Sequence, residues 1–266
     1  MKKLVVIALI LFGVSNMSSQ NGVFAYGYRH VPADEMEVFM ANEAMYWSKV
    51  HANLMKKGKL TGWTVMRRIG GLESEPNVYF FLGIGPLENL DNLNKDYPEA
   101  EKEVRSAMDK EKLALIDERL KQPKFRVANV LLSRRSFVGS VDAEWNYLVH
   151  NYAKATDVNA FLDAQDKYWK PFFEEHITKK NTKQVFWYTA SVLNPRGYGY
   201  NWNCYTVDAY KNMSDIYDSW NTDIDFPEEG WKKTSDLMKN QDFYKRVIWK
   251  KVMSLDSEGN LVKNWN

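Results

Sequence analysis

Glu43-Ala-Met-Tyr46-Trp47-Ser-Lys49 and Gln165-Asp-Lys-Tyr168-Trp169-Lys-Pro171 are the two stretches on which the fold turns. They lie 122 residues apart, and Phe39 matches Phe161 at the same offset. A lysine-rich turn follows each, Lys56-Lys57-Gly58-Lys59 in the first and Lys179-Lys180-Asn181-Thr182-Lys183 in the second. A tryptophan-bearing strand pattern comes next, Leu60-Thr-Gly-Trp63-Thr-Val-Met66 and Gln184-Val-Phe-Trp187-Tyr-Thr-Ala190. Later, Lys124-Phe125-Arg126-Val127 resembles Tyr244-Lys245-Arg246-Val247. A shared Tyr-Trp pair alone is weak; several landmarks in one order at a nearly fixed period indicate an internal repeat.

Each copy reads as β-α-β-β-α-β. In the first, 24–31 is aromatic and β-branched, hence a strand. Residues 32–57 place Met36, Phe39, Met40, Trp47, Val50 and Leu54 near a period of 3.6, with Pro32 before and Gly58 after, hence a helix. Strands are expected at 60–69 and 78–84 around the Gly70-Gly71 turn, helix over 87–120 with a break near Pro98, and a strand within 125–138. In the second copy the same order predicts strand 147–152, helix 157–180 and strands 184–193 and 200–207. Helix over 209–240, interrupted at Phe226-Pro227, and a strand within 244–255 complete it. A polar, loose tail is expected over 256–266.

Several strands are apolar on both alternating sets, as in Val78-Tyr79-Phe80-Phe81-Leu82. A half-solvated sheet would alternate with polar residues, so both faces of each sheet need cover. Helices can cover one face and the other copy's sheet the second. The expected class is therefore α+β, with a first unit over 21–140 and a second over 141–266. This arrangement resembles the dimeric α/β-barrel superfamily in its tandem form: two ferredoxin-like repeats packed sheet to sheet as an intrachain α/β barrel. The run Tyr46-Trp47, His51 and Lys57-Gly-Lys-Leu-Thr-Gly-Trp63 is similar to a group of exported, largely uncharacterised bacterial proteins with that fold. The resemblance spans most of residues 23–255. It implies a cavity between sheet and helices, but the superfamily includes cofactor-free monooxygenases, haem proteins and binding proteins, so it leaves the activity open.

The N-terminus, Met1-Lys2-Lys3 followed by the apolar run Leu4–Val14 and the small polar run Ser15–Gln20, has the order of a cleavable secretory signal. Its apolar core is too short for a bilayer span of about 20 residues. Export to the periplasm or medium is expected, with no stable membrane anchor after cleavage of residues 1–20. The chain carries 36 Lys+Arg and 34 Asp+Glu, and loss of Lys2 and Lys3 balances them. The basic excess that nucleic-acid binding uses is missing. Cys204 is the single cysteine and sits in an aromatic stretch, which reads as a buried thiol outside any intrachain disulfide.

Glu43, Trp47 and His51 recur every fourth residue and form one column on the face that carries Met40, Val50 and Leu54. An imidazole suits general-base chemistry near neutral pH, with Glu43 contributing charge. With Trp63 from the following strand, they are the ligand-binding candidates. The matching column, Gln165, Trp169 and Phe173, has lost both ionisable groups, so at most one chemical site is expected, in the first copy. Four separated histidines, His30, His51, His150 and His176, and one cysteine make no metal motif. A haem axial histidine stays formally open, with nothing specific in its favour, and no cofactor is expected. His30 and His150 are placed at or near strand ends, and His176 at a helix end. Gly83-Ile-Gly85-Pro86 lacks a dinucleotide fingerprint and reads as a turn. Gly197-Tyr-Gly199-Tyr-Asn-Trp202 is an aromatic hairpin able to stack a ring. Two functions compete: a protein that binds or transforms a small, partly aromatic molecule, and a structural or interaction scaffold without catalysis.

Overall fold

The computed structural model describes residues 22–121, 125–197 and 201–265. The expected signal segment, Lys124 and residues 198–200 of the aromatic hairpin lie outside the described residues.

The first half runs β1 (Val23–Arg29), α1 (Met36–Asn42), a π-helical turn (Glu43–Trp47), α2 (Ser48–Lys56), β2 (Gly62–Ile69), β3 (Val78–Gly85), α3 (Asn89–Ser106), α4 (Lys110–Arg119) and β4 (Arg126–Gly139). The second runs β5 (Tyr147–Ala153), α5 (Val158–Ala164), a π-helical turn (Gln165–Trp169), α6 (Lys170–Thr178), β6 (Gln184–Asn194) and β7 (Cys204–Tyr210). It ends with α7 (Met213–Tyr217), α8 (Glu228–Leu237), β8 (Lys245–Leu255) and β9 (Leu261–Lys263). The two Tyr-Trp pairs thus both fall in π-helical turns.

The strand order is β2-β3-β1-β4-β6-β7-β5-β8, and β8 pairs back onto β2 to close an antiparallel barrel. The two halves of that order, β2-β3-β1-β4 and β6-β7-β5-β8, follow one pattern. Strand length explains the closure. β4 is 14 residues long and pairs with β1 as far as Ser133, while Leu131–Gly139 runs along β6. β8 pairs with β5 through Lys245–Lys250 and with β2 through Ile248–Ser254. The expected face-to-face sheets are therefore joined at their edges as well, which satisfies the backbone groups that open edges would leave unpaired.

Alternate residues point into the barrel. Phe24, Tyr26 and Tyr28 of β1 meet Tyr79, Leu132, Tyr188, Tyr205, Val207 and Trp249 in one buried cluster. Most of the buried hydroxyls there pair: Tyr26 and Tyr188 share a 2.6 Å hydrogen bond and Tyr28 and Tyr152 a 3.0 Å one, while the Tyr205 hydroxyl has no partner among the described residues. His150 lies mid-strand, not at a strand end, and is fully buried with Tyr79 at 3.3 Å and Tyr152 at 3.1 Å. Burial depresses its pKa to about 3, so it is a neutral core histidine. Outside the barrel, α2 packs on α3 through Val50, Leu54, Ala100 and Val104, and α6 lies over β4 and β6.

Three expectations need correction. Pro98 sits inside α3, which continues to Ser106, and the break comes at 107–109. Residues 209–210 belong to β7, and a long non-helical connection separates the short α7 from α8. The tail is not loose: β9 pairs with β8, and Trp265 packs against the cluster that holds Val31 and Trp63. An apolar surface already in place captured a polar sequence there. Cys204 is buried and free, its thiol pushed up to about 12 by burial.

Candidate functional site

On β1, beyond Val23, which packs with the helices, the residues that face away from the barrel are Ala25, Gly27 and Arg29. Two of them are small, so the helices cannot close onto this strand. A cavity of about 700 Å³ remains between the first-half sheet and its helices. Glu43, Trp47, His51 and Trp63, picked from the sequence, all border it. Tyr97 and Pro98 of α3 wall one side, and Arg119, Arg126 and Asn129 stand at other points of its boundary.

Aromatic rings form a shelf. His51 stacks on Trp63 with centroids 5.2 Å apart at 18°, and Trp63 faces Phe80 at 6.5 Å and 26°. Tyr97 meets His51 edge-on at 5.8 Å. Trp63 Nε1 and His51 Nδ1 are buried without a hydrogen-bond partner among the described residues. Nothing closes a hydrogen bond to the Glu43 side chain among the described residues, although the residue is only 8% exposed. Tyr46, beside it in the π turn, points elsewhere and donates to Glu101 at 3.0 Å.

Burial sets the protonation states. It raises the Glu43 carboxyl to about 8, against the weaker pull of the Arg29 guanidinium. It lowers His51 to about 4, with the Trp47 carbonyl acting weakly in the opposite sense. Glu43 therefore brings a proton, not a charge, at neutral pH, and His51 is a neutral imidazole. This reverses the expected roles: the group whose pKa lies near neutrality is Glu43. Arg29 is held down to about 10, first by burial and then by Arg126.

In the matching column of the second half the aromatic rings pack on one another. Phe173 stacks on Trp169 at 6.0 Å and on Trp187 at 5.1 Å, and Gln165 is buried. On β5 of this half, the Asn151 side-chain amide donates to Thr206 and Asp208. Both halves carry a π turn, so the π turn by itself does not single out the half that holds the Glu43–His51 cavity. His176 ends α6 and lies 3.2 Å from the Asn181 amide, as its sequence position predicts.

A second cavity of about 220 Å³ opens at one barrel end beside Tyr28, Tyr152, Trp202 and Trp249. Its cations Arg68 and Lys245 both pair with the one Glu75 carboxylate. Among the described residues no cluster of three His, Cys, Asp or Glu side chains is placed to hold a metal ion, and no helix is long and apolar enough to cross a membrane.

Sequence reasoning missed Gly27, Arg29, Tyr97, Arg119 and Arg126. The available signal was the alternation Ala25-x-Gly27-x-Arg29, two small residues and a cation on one face of a strand otherwise aromatic.

No protein-family profile matches the chain, and no curated protein matches its sequence. Solved structures do share its fold. A "putative monooxygenase" of Fusobacterium nucleatum subsp. nucleatum aligns over 92% of this chain and 98% of its own, with 12% identity and a TM-score of 0.54. An "anthrone oxidase-like protein" aligns over 90% and 94%, with 11% identity and a TM-score of 0.51. By its closed eight-stranded barrel and its likeness to these neighbours, the chain has the dimeric α/β-barrel fold.

Proposed function

We propose that this protein is exported after removal of residues 1 to about 20, and that it binds or transforms a small, partly aromatic molecule in the first-half cavity. The two halves are read as tandem copies of one ferredoxin-like unit, of which only the first kept a working site. The observation that carries this reading is the convergence of Glu43, Trp47, His51 and Trp63 on one cavity of about 700 Å³, within the size range of small-molecule sites. Glu43 has no hydrogen-bond partner there among the described residues, so a bound molecule could supply one. A carboxyl with a pKa of about 8 gives up or takes a proton readily near neutral pH. His51, neutral, accepts a hydrogen bond. The names of the two neighbours, monooxygenase and anthrone oxidase-like, fit chemistry on small aromatic molecules.

The test is native mass spectrometry on protein purified from its source. A bound small molecule, lost when Gly27 is enlarged, supports the reading; intact Lys2 and Lys3 on the exported form would refute cleavage. The scaffold alternative gains ground if no small molecule binds the purified protein.

A further inference from the structure

Three guanidiniums border the cavity, those of Arg29, Arg119 and Arg126, and none of them forms a salt bridge among the described residues. Other arginines of this chain do pair: Arg68 with Glu75, Arg105 with Asp117 and Arg135 with Asp163 and Asp166. Arg29 donates to the Tyr28 carbonyl at 2.9 Å and to Asn129 Oδ1 at 3.5 Å, and its guanidinium lies 5.2 Å over the Phe80 ring. Arg119 donates to Asn42 Oδ1 at 3.1 Å. All these acceptors are neutral. Two acids border the same cavity: Glu101 already accepts the Tyr46 hydroxyl, and Glu43 is held in its neutral form by burial. Arg126 acts on Arg29 as a like charge, against the smaller pull of Glu43, whose carboxyl burial keeps protonated near neutral pH. Arg29, the one of the three most withdrawn from water, gains most from an anion at this place, with the half-exposed Arg119 and the exposed Arg126 adding to the local positive field. The Trp63–Phe80 shelf ends beside Arg29, so ring and anion sites adjoin.

Resting on the cavity reading above, we infer that the ligand is a planar aromatic carboxylate, its ring against Trp63 and Phe80 and its carboxylate held by Arg29 with Arg126 and Arg119 at the rim. Arginine presents a planar fork that matches a carboxylate, which a neutral polar group cannot equal.

The probes are 2-naphthoate and its neutral isostere 2-naphthamide, titrated by calorimetry into the full chain. The acid should bind at least about tenfold more tightly than the amide, as expected for a charge-assisted contact. Arg29→Gln should bring the two within about threefold. Arg126→Gln, at an exposed position and safe for folding, should narrow the gap partly. Equal binding of acid and amide to the unaltered protein overturns the anion site and leaves the cavity reading standing. Failure of both probes to bind overturns both. A preference for the acid that survives in both variants, or in Gly27→Leu, places the anion elsewhere and overturns the assignment.

Discussion

Glu43→Gln should stabilise the free protein, and by an amount that grows with pH. The carboxyl goes from 4.5 in the unfolded chain to about 8 in the fold. Below 4.5 both states are protonated and Glu43 costs nothing. Between 4.5 and 8 the unfolded chain releases the proton while the folded chain keeps it, so stability falls as pH rises, by up to about 1.4 kcal/mol per pH unit. The penalty reaches about 1 kcal/mol at pH 5, about 3 at pH 7 and a ceiling near 5 above pH 9. Glutamine keeps the shape and cannot ionise, so the variant lacks the penalty. At about 2–4 °C per kcal/mol for a chain of this size, its melting temperature should exceed the parent's by about 6–12 °C at pH 7 and by only a few degrees at pH 5. His51 and His150, lowered to about 4 and about 3, destabilise the fold as pH falls below 6.5, but both proteins share them and the difference cancels. Thermal unfolding by circular dichroism, run in parallel from pH 4.5 to 9, reads it directly. A melting difference that stays flat over this range would mean that Glu43 ionises normally, and the proton-carrier role would fall with it.

His51→Ala should weaken ligand binding while costing about 1 kcal/mol, because the side chain borders a cavity and one buried nitrogen goes unpaired. Trp169→Ala should do the reverse, destabilising by about 3–5 kcal/mol as a core truncation; melting temperature and affinity measured on both variants separate the roles, and an unfolded His51→Ala with intact affinity in the folded fraction would make His51 structural. Gly27→Leu should abolish binding with little loss of stability, since an added Cβ meets only the flexible ends of Arg29 and Asn129, at 3.2 and 3.3 Å; unchanged affinity would place the ligand elsewhere. Gly139→Ala, at φ +95° where a Cβ would run into the Val185 carbonyl, should cost more than about 1 kcal/mol at the β4–β6 junction, measured by urea unfolding.

Local signals were legible where a local cause dominates. The aromatic, β-branched strands β1, β3 and β6 form close to where composition places them, and Gly58 ends α2 with φ +66°. Pro98 misled because a proline's missing donor is tolerated where α3 turns that side toward the cavity. The 256–266 tail misled because its order comes from β8 and the Val31–Trp63 cluster, not from its own residues. At the site, the Glu43-Trp47-His51 column was readable, since helical period fixes its members to one face. Arg29, Tyr97, Arg119 and Arg126 were not, because each comes from a different element and only packing makes them neighbours.

The sequence by itself determined the alternation of elements, the two-faced apolar strands that demand cover, and the placing of ionisable groups on the first helical face alone. Those follow from period, composition and turn chemistry, which act over a few residues. Tertiary structure alone decided that β4 and β8 outrun their partners and close the barrel, and that Ala25 and Gly27 leave a cavity under the helices. It also decided that burial makes Glu43 the acid and leaves His51 neutral. Each of these depends on what lies across space from a residue, through desolvation and shape, and neither quantity is written in the neighbours along the chain.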